Sequence, residues 1–122
     1  VGLTEAEART AHGDRLTVVR QEFRHNDRAI AEGRTTGFLR LMVVGGRPVG
    51  ATIVGAGAGD LIGLWALAIS ARLKLSAVAG AVLPYPTLGE INKRAAGAYF
   101  APRLFESGMV KRAVRGIQRW WP

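Results

Sequence analysis

The stretch GFLRLMVVGGRPVGATIVGA, residues 37–56, decides the fold of this chain. Two apolar runs, residues 38–44 and 49–54, flank a short turn sequence of two glycines, an arginine and a proline. Runs rich in valine, isoleucine and phenylalanine that are separated by a glycine turn are typical of two antiparallel strands. The stretch therefore predicts a β-hairpin, which is the clearest local signal in the sequence.

Downstream of the hairpin the pattern changes from strand to helix. A glycine-rich turn, residues 55–59, leads into a mostly apolar helix that is expected from about Asp60 to Ala71. The glycine spacing does not match the G-x-G-x-x-G fingerprint of dinucleotide sites, so a tight sheet-to-helix crossing capped by Asp60 is the preferred interpretation. The apolar run of residues 61–69 is shorter than the about 20 residues that cross a bilayer, so a buried core helix is predicted.

Upstream of the hairpin the sequence predicts two short helices and a strand. The chain starts on the end of a strand, and Thr4 is then followed three residues later by Glu7, which is the pattern of a capping box. Gly13 ends this first helix. Residues 15–23 alternate partly between apolar and polar side chains and predict a strand with one solvated face. Asn26 is expected to cap a second helix of about two turns.

The second half of the chain predicts further helices. Residues 75–84 indicate a short helix or a turn, which Pro84 ends. A longer helix is expected from Thr87, with Pro86 at its start, where proline is tolerated. Because strands come first and helices last, the predicted fold class is α+β: an antiparallel β-sheet with helices packed on one face.

The last stretch, residues 108–122, predicts a basic amphipathic helix. Its basic and its apolar side chains fall on opposite arcs of a helical wheel. Packing of the apolar arc on the domain or on a partner subunit is favoured, because an apolar stripe at helical spacing is usually core. Contact of the tryptophans and basic side chains with a membrane surface is the alternative.

Composition and charge restrict the classes of function. The 122 residues suit one globular domain, and the absence of cysteine argues against a disulfide framework or a thiolate metal site. The two histidines, His12 and His25, have no carboxylate cluster beside them, so no metal site is predicted. The net charge of +8 lies almost entirely in residues 61–122, but it forms no aromatic and basic platform, and nucleic-acid binding is not expected.

Three segments, in an order and spacing that extend over roughly 100 residues, resemble one known family. They are VGLTEAEAR at 1–9, GFLRLMVV through VGATIVGAGAGDLI at 37–62, and YPTLGE at 85–90. The chain resembles the C-terminal dimerisation domain of the FAD-dependent pyridine nucleotide-disulfide oxidoreductases, the group of lipoamide dehydrogenase, glutathione reductase and mercuric reductase. The region after Tyr99 has no counterpart in this resemblance.

The resemblance implies how the chain is organised. Residues 1–107 are expected to be the dimerisation domain, an N-terminally truncated fragment of a longer chain, and residues 108–122 a separate C-terminal helix. FAD-binding and NAD(P)-binding domains are expected to precede this domain, so that FAD and NAD(P) belong to the parent protein and neither is expected in the fragment alone. The implied partner is a second copy of the chain, and each flavin site is shared within the homodimer.

The resemblance also assigns candidate site residues. The family motif is His-Pro-Thr, then two intervening residues and Glu, and here Pro86, Thr87 and Glu90 match while Tyr85 replaces the histidine. Tyr85 and Glu90 are the candidate catalytic pair, but a phenol with a reference pKa of about 10 is not expected to exchange protons as an imidazole near 6.5 does. Tyr85, Pro86 and Thr87 are expected to line the partner's FAD, with a cis Tyr85–Pro86 bond.

The expected part of Glu90 and of the Tyr85 hydroxyl follows from the same motif. The hydroxyl is expected to hold a substrate or charge-transfer partner, and Glu90 either to accept a hydrogen bond from it or to lie at the start of a helix, where a carboxylate is favoured. Pro84-Tyr85 is similar to mercuric reductases and Tyr85-Pro86 to soluble transhydrogenases. The missing cysteine disfavours mercury reduction, and the missing histidine disfavours dithiol reduction.

The function predicted from the sequence is the dimerisation domain of a flavin-dependent NAD(P)H oxidoreductase, expected in the cytoplasm and without catalysis of its own. The alternative is a stand-alone binding module that uses residues 108–122 on a membrane surface or an acidic partner. The electron acceptor and the choice between NADH and NADPH stay open.

Overall fold

The computed structural model of the chain describes residues 1–106, with side chains described as far as Arg103. Within this part the chain forms three strands and six helices, and short 3₁₀ turns flank the first strand. The strands are β1 (Leu16–Glu22), β2 (Gly37–Val44) and β3 (Arg47–Gly55). The helices are α1 (Glu5–His12), α2 (Asp27–Ala31), α3 (Ala58–Leu61), α4 (Gly63–Ser70), α5 (Leu75–Gly80) and α6 (Glu90–Glu106).

The predicted hairpin is confirmed, and β2 lies in the middle of the sheet. β1 pairs with one edge of β2 and β3 with the other, both antiparallel. Gly45 and Gly46 form a two-residue turn, with the left-handed φ angles of 57° and 75° that such a turn requires. Pro48, expected in the turn, lies in β3 opposite Val43, next to a register shift where a missing backbone donor is tolerated.

One face of the sheet carries the hydrophobic core. Leu39, Leu41 and Val43 of β2 are fully buried there. Their partners come mainly from the C-terminal helices, which form the main helical layer: Trp65 and Ala68 of α4, Leu75 and Val78 of α5, and Ile91, Ala95, Ala96 and Tyr99 of α6. The mostly apolar segment after the hairpin is therefore a core element, as its sequence predicts.

The opposite face of the sheet is covered in part by α1. Arg40 of β2 points away from its buried neighbours, because side chains alternate along a strand, and it forms an ion pair with Glu5 at 2.9 Å. Ala8 of α1 is fully buried. The predicted α+β class, with an antiparallel sheet and the main helical layer on one face, is confirmed, whereas α1 lies against the other face.

The helix ends agree with the sequence at the start of the chain and differ after the hairpin. Thr4 caps α1 and exchanges hydrogen bonds with Glu7, so the capping box is confirmed. The prediction that Asp60 caps the next helix is wrong, because Gly57, at a φ of 71°, leads directly into α3 and Asp60 lies inside the first turn. The single helix expected there is divided at Ile62 into α3 and α4.

No helix in residues 1–106 combines the length and the apolar composition needed to cross a membrane. The predicted amphipathic helix of residues 108–122 lies outside the described residues.

The first residues of the chain add to the sheet. The amide of Leu3 donates to the carbonyl of Val49 and the amide of Ala51 to the carbonyl of Val1, each at 2.9 Å, so the start of the chain is strand-like, as predicted. This pairing requires a residue without a side chain at position 50. A Cβ on Gly50 would lie 1.9 Å from the carbonyl oxygen of Leu3.

We expect Gly50→Ala to lower the free energy of unfolding by about 1 to 3 kcal/mol, because the methyl group forces residues 1–3 away from β3. Gly97→Ala is the matched control, since Gly97 lies in α6 and no described residue outside its own stretch of helix has an atom within 4 Å of the added Cβ. This control raises the stability by about 0.5 to 1 kcal/mol through helix propensity. Urea unfolding of both variants checks the pair, and equal stability of Gly50→Ala and wild type contradicts the prediction.

Candidate functional site

The loop between α5 and α6 carries the candidate site residues. The Tyr85–Pro86 peptide bond is cis, as the resemblance implies. The hydroxyl of Thr87 donates to the carbonyl of Pro84 at 2.8 Å, so the loop closes on itself in a tight turn. Because this turn extends to residue 89, α6 begins at Glu90, and the prediction of a helix from Thr87 with Pro86 at its start is wrong.

A buried asparagine holds this loop against the rest of the domain. Asn26 is 1% exposed, and its amide nitrogen donates to the carbonyls of Thr87 at 3.2 Å and Leu88 at 3.4 Å. Its side-chain oxygen accepts from the amide of Ala29 at 3.0 Å, which is the predicted N-cap of α2. One side chain therefore caps the start of a helix and fixes a loop about 60 residues away, and both contacts satisfy polar groups that are at least partly shielded from water.

A second buried asparagine anchors the helix that follows the loop. Asn92, 2% exposed, accepts a hydrogen bond from the indole nitrogen of Trp65 at 2.8 Å and donates to the carbonyl of Leu61 at 3.2 Å. Trp65 itself is fully buried. The first turn of α6 is thus tied to α3 and α4, and the candidate loop lies between two buried hydrogen-bonding centres, Asn26 and Asn92.

Tyr85 lies at the surface and contacts α2. Its side chain is 68% exposed, and its hydroxyl donates to Oδ2 of Asp27 at 2.8 Å. Of the two expectations for Glu90, a hydrogen bond from Tyr85 is not formed and the position at a helix start is observed. Glu90 is the first residue of α6, and its carboxylate accepts from the amide of Thr87 at 3.5 Å.

The electrostatics around Tyr85 favour the protonated phenol. The hydrogen bond to Asp27 and the negative charge of that carboxylate raise the pKa of Tyr85 above its usual value. Glu90 adds to this shift, while Arg94 opposes it. A phenol in these surroundings keeps its proton at neutral pH, so the side chain offers hydrogen bonding and ring contact, not proton exchange.

Sequence reasoning missed the partners that α2 supplies. Asp27 follows the predicted cap by one residue but stands 58 positions before Tyr85, and the sequence contains no signal for that pairing. Arg94 of α6 donates to the carbonyl of His25 at 2.8 Å, which adds another link to the same segment. Residues 25–27 therefore contact the loop and α6 at each successive position.

An exposed apolar surface adjoins the loop. A groove of about 180 Å³ runs between α4 and α5, and it is lined by Leu64, Leu67, Ala68, Leu73, Ala77, Val78 and Ala81. Leu67 is 65% exposed beside it, and Val82, which begins the path to Tyr85, is 95% exposed. Large apolar side chains that are exposed next to one another are typical of protein–protein contact sites.

The loop carries three side chains of different chemistry. Tyr85, Pro86 and Thr87 offer an aromatic ring, an apolar ring and a hydroxyl at the domain surface. Among residues 1–106, no group of three or more His, Asp and Glu side chains is placed to hold a metal ion.

A protein-family model matches most of the chain. The model of the pyridine nucleotide-disulphide oxidoreductase dimerisation domain matches residues 1–96. The chain belongs to this family, and the resemblance found in its sequence is confirmed.

Curated relatives of the chain are dihydrolipoyl dehydrogenases. Dihydrolipoyl dehydrogenase of Bacillus subtilis is 37% identical over 98 residues, which are 79% of this chain and 21% of that protein. Dihydrolipoyl dehydrogenase of Geobacillus stearothermophilus is 38% identical over 98 residues, with the same shares covered. The chain spans about a fifth of the length of the curated relatives it matches.

Solved structures confirm the fold. The HOCl-induced flavoprotein disulfide reductase RclA of Escherichia coli aligns with a TM-score of 0.75 at 24% identity, over 80% of this chain and 22% of that one. LpdA of Mycobacterium tuberculosis aligns with a TM-score of 0.74 at 24% identity, over 81% and 22%.

We expect Asn26→Ala to lower the free energy of unfolding by about 2 to 4 kcal/mol, since it removes a helix cap and leaves two loop carbonyls unpaired. Asn26→Asp separates the two effects, because the carboxylate keeps the cap to Ala29 but lacks the amide donor. We expect it to be destabilised as well, with changed amide signals of residues 85–90 in the NMR spectrum. An Asn26→Asp variant as stable as wild type contradicts a role of Asn26 in holding the loop.

Proposed function

We propose that the chain is the dimerisation domain of an FAD-dependent NAD(P)H oxidoreductase, and that residues 85–87 contribute to the flavin site of the partner subunit. The observation that carries the proposal is the loop itself: in a domain of this family, Tyr85 is exposed at the surface while the backbone behind it is fixed by buried Asn26. A fixed backbone with an exposed ring suits contact with a group supplied by another subunit. FAD and NAD(P) are held by the other domains of the parent chain.

The surface between α4 and α5 is the proposed contact with the second copy. It is apolar, it exposes Leu67 and Val82, and it continues along the chain into the loop with Tyr85. Burial of this surface against its own copy removes apolar side chains from water and brings the two loops close to the interface. Dimer contact and flavin contact are then parts of one surface.

The proposed roles of the site residues differ from those of a histidine–glutamate pair. Tyr85 contacts the flavin edge or the electron acceptor by its ring and hydroxyl, and Pro86 and Thr87 shape the same wall. Glu90 stabilises the start of α6 and so the position of the loop. The protonated phenol of Tyr85 takes no part in proton exchange at neutral pH.

The organisation of the parent chain belongs to the same proposal. We propose residues 1–107 as the dimerisation domain, and the helix predicted for residues 108–122 lies outside the described residues. Contact of that helix with a membrane surface and a cytoplasmic location of the protein both stay predictions.

We expect Leu67→Asp to weaken the homodimer by about 2 kcal/mol, or roughly thirtyfold in Kd, because association then buries an unpaired carboxylate in an apolar contact. Sedimentation equilibrium of the 122-residue chain measures the change. Val54→Asp introduces the same charge at a similarly exposed valine, 51% exposed, on the opposite face of the sheet, and this control remains dimeric. Equal weakening by both variants contradicts the proposed contact surface.

We expect Tyr85 to act on the flavin of the partner subunit. In the complete reductase, a Tyr85→Ala subunit is combined with a subunit that keeps Tyr85 but cannot bind FAD, and each of these alone has low activity. The mixed dimer contains one flavin and one intact tyrosine on opposite subunits, so one site is restored and NAD(P)H oxidation recovers to about half of wild type. Without recovery in the mixed dimer, the proposal of a shared site fails.

A further inference from the structure

The Tyr85 hydroxyl has a single proton, and the structure shows where it goes. An ionised carboxylate only accepts hydrogen bonds, so the proton between Tyr85 and Asp27, which are 2.8 Å apart, comes from the phenol. The proton therefore points to the carboxylate of Asp27 in α2. The lone pairs of the phenolic oxygen are left for a group that approaches from outside.

The backbone on both sides holds this pair together. Asn26, directly before Asp27, binds the carbonyls of Thr87 and Leu88, directly after the Tyr85–Pro86 bond. His25 accepts from Arg94 of α6. Since Asn26 is linked to the loop by partly buried hydrogen bonds and His25 to α6 by an exposed one, the carboxylate of Asp27 stays within reach of the hydroxyl with little loss of side-chain freedom.

The charges that face Tyr85 come from two helices. Asp27 of α2 and Glu90 of α6 are negative, and Arg94 of α6 is positive. Together they raise the pKa of Tyr85, with the hydrogen bond and charge of Asp27 as the main cause. Conversion to tyrosinate, which would place two anions next to each other, is thereby disfavoured. The tyrosine is neither a proton donor to an incoming group nor a base.

We propose that Asp27 is a positioning residue that engages the proton of Tyr85, so that the shared flavin site presents an oxygen acceptor and selects electron acceptors with an N–H or O–H donor at this point. The inference rests on the proposed function for the location of the flavin, but the Asp27–Tyr85 pair itself does not. A ligand that offers only a carbonyl finds no donor at Tyr85. The Asp27–Tyr85 pair thus determines the specificity for the electron acceptor, and it is formed by two segments that no sequence motif connects.

The first arm of the test titrates Tyr85 in the 122-residue chain. Ultraviolet absorbance follows phenolate formation, and subtraction of the Tyr85→Phe titration removes the contribution of Tyr99, the other tyrosine. We expect Asp27→Asn to lower the pKa of Tyr85 toward its usual value, and Asp27→Glu, which keeps the charge, to retain most of the shift. Asp14→Asn, at an exposed turn before β1, is the control with the same loss of charge. If the titration of Tyr85 is unchanged in Asp27→Asn, the proposed interaction between Asp27 and the Tyr85 hydroxyl is disproved.

The second arm measures acceptor choice in the complete reductase. The probes are menadione, which offers carbonyls only, and an analogue in which an amino group replaces the methyl group. We expect the ratio of kcat/KM for the amino compound over menadione to fall by about three- to tenfold in Asp27→Ala, where the phenol proton is free to rotate toward the ligand. A ratio unchanged in this variant overturns the selectivity, even when the titration behaves as expected.

The two proposals fail in different ways. If Tyr85 does not contact the shared site, Tyr85→Phe leaves both the rates and the ratio unchanged, and the mixed-dimer experiment shows no recovery, while the titration still reports the pair. If the site is shared but Asp27 has no part in it, the mixed dimer recovers activity and Asp27→Ala leaves the ratio unchanged.

Discussion

The pairing of β2 on both of its edges is the constraint on which the rest of the domain depends. A central strand with no free edge fixes which side chains face each layer, because a slip by one residue would exchange the two faces. Leu39, Leu41 and Val43 then form the floor on which α4, α5 and α6 pack. The position of α6 in turn determines where the loop before it emerges, so the candidate site depends on the register of the central strand of the sheet.

Two buried asparagines fix the position of the candidate loop relative to this core. Asn26 forms hydrogen bonds with α2 and with the loop. Asn92, in the first turn of the helix that follows the loop, forms hydrogen bonds with α3 and α4. A buried amide with an unsatisfied partner costs about 1 to 3 kcal/mol, so alternative loop positions are excluded more strongly than apolar contacts alone would exclude them. Hydrogen bonds of buried polar side chains thus fix the loop backbone that carries the exposed Tyr85.

Elements with local sequence signals can be predicted from the sequence, whereas contacts that depend on packing cannot. The sequence predicts the hairpin, the capping box of Thr4 and Glu7 and the cap at Asn26, because each depends on residues within a few positions of one another. The structure confirms all three. The start of α6 was misplaced because Thr87 hydrogen-bonds back to Pro84, and the helix after the hairpin begins at a left-handed glycine, not at Asp60. The family motif pointed to Tyr85 and Glu90 as a pair, whereas Tyr85 contacts Asp27, a partner that only the folded chain brings near.

The exchange of histidine for tyrosine in the motif changes what the neighbouring groups have to do. A carboxylate beside a histidine stabilises the charged form of the imidazole, and the resemblance implies that the glutamate of the motif is paired with the histidine. A tyrosine gains no charge at neutral pH, so the same carboxylate is free to stabilise the helix start, which is where Glu90 is found. The carboxylate that the phenol does contact comes from α2, and it stabilises the neutral form. The loop thus keeps the motif residues Pro86, Thr87 and Glu90, while the charges around Tyr85 favour a phenol that holds its proton.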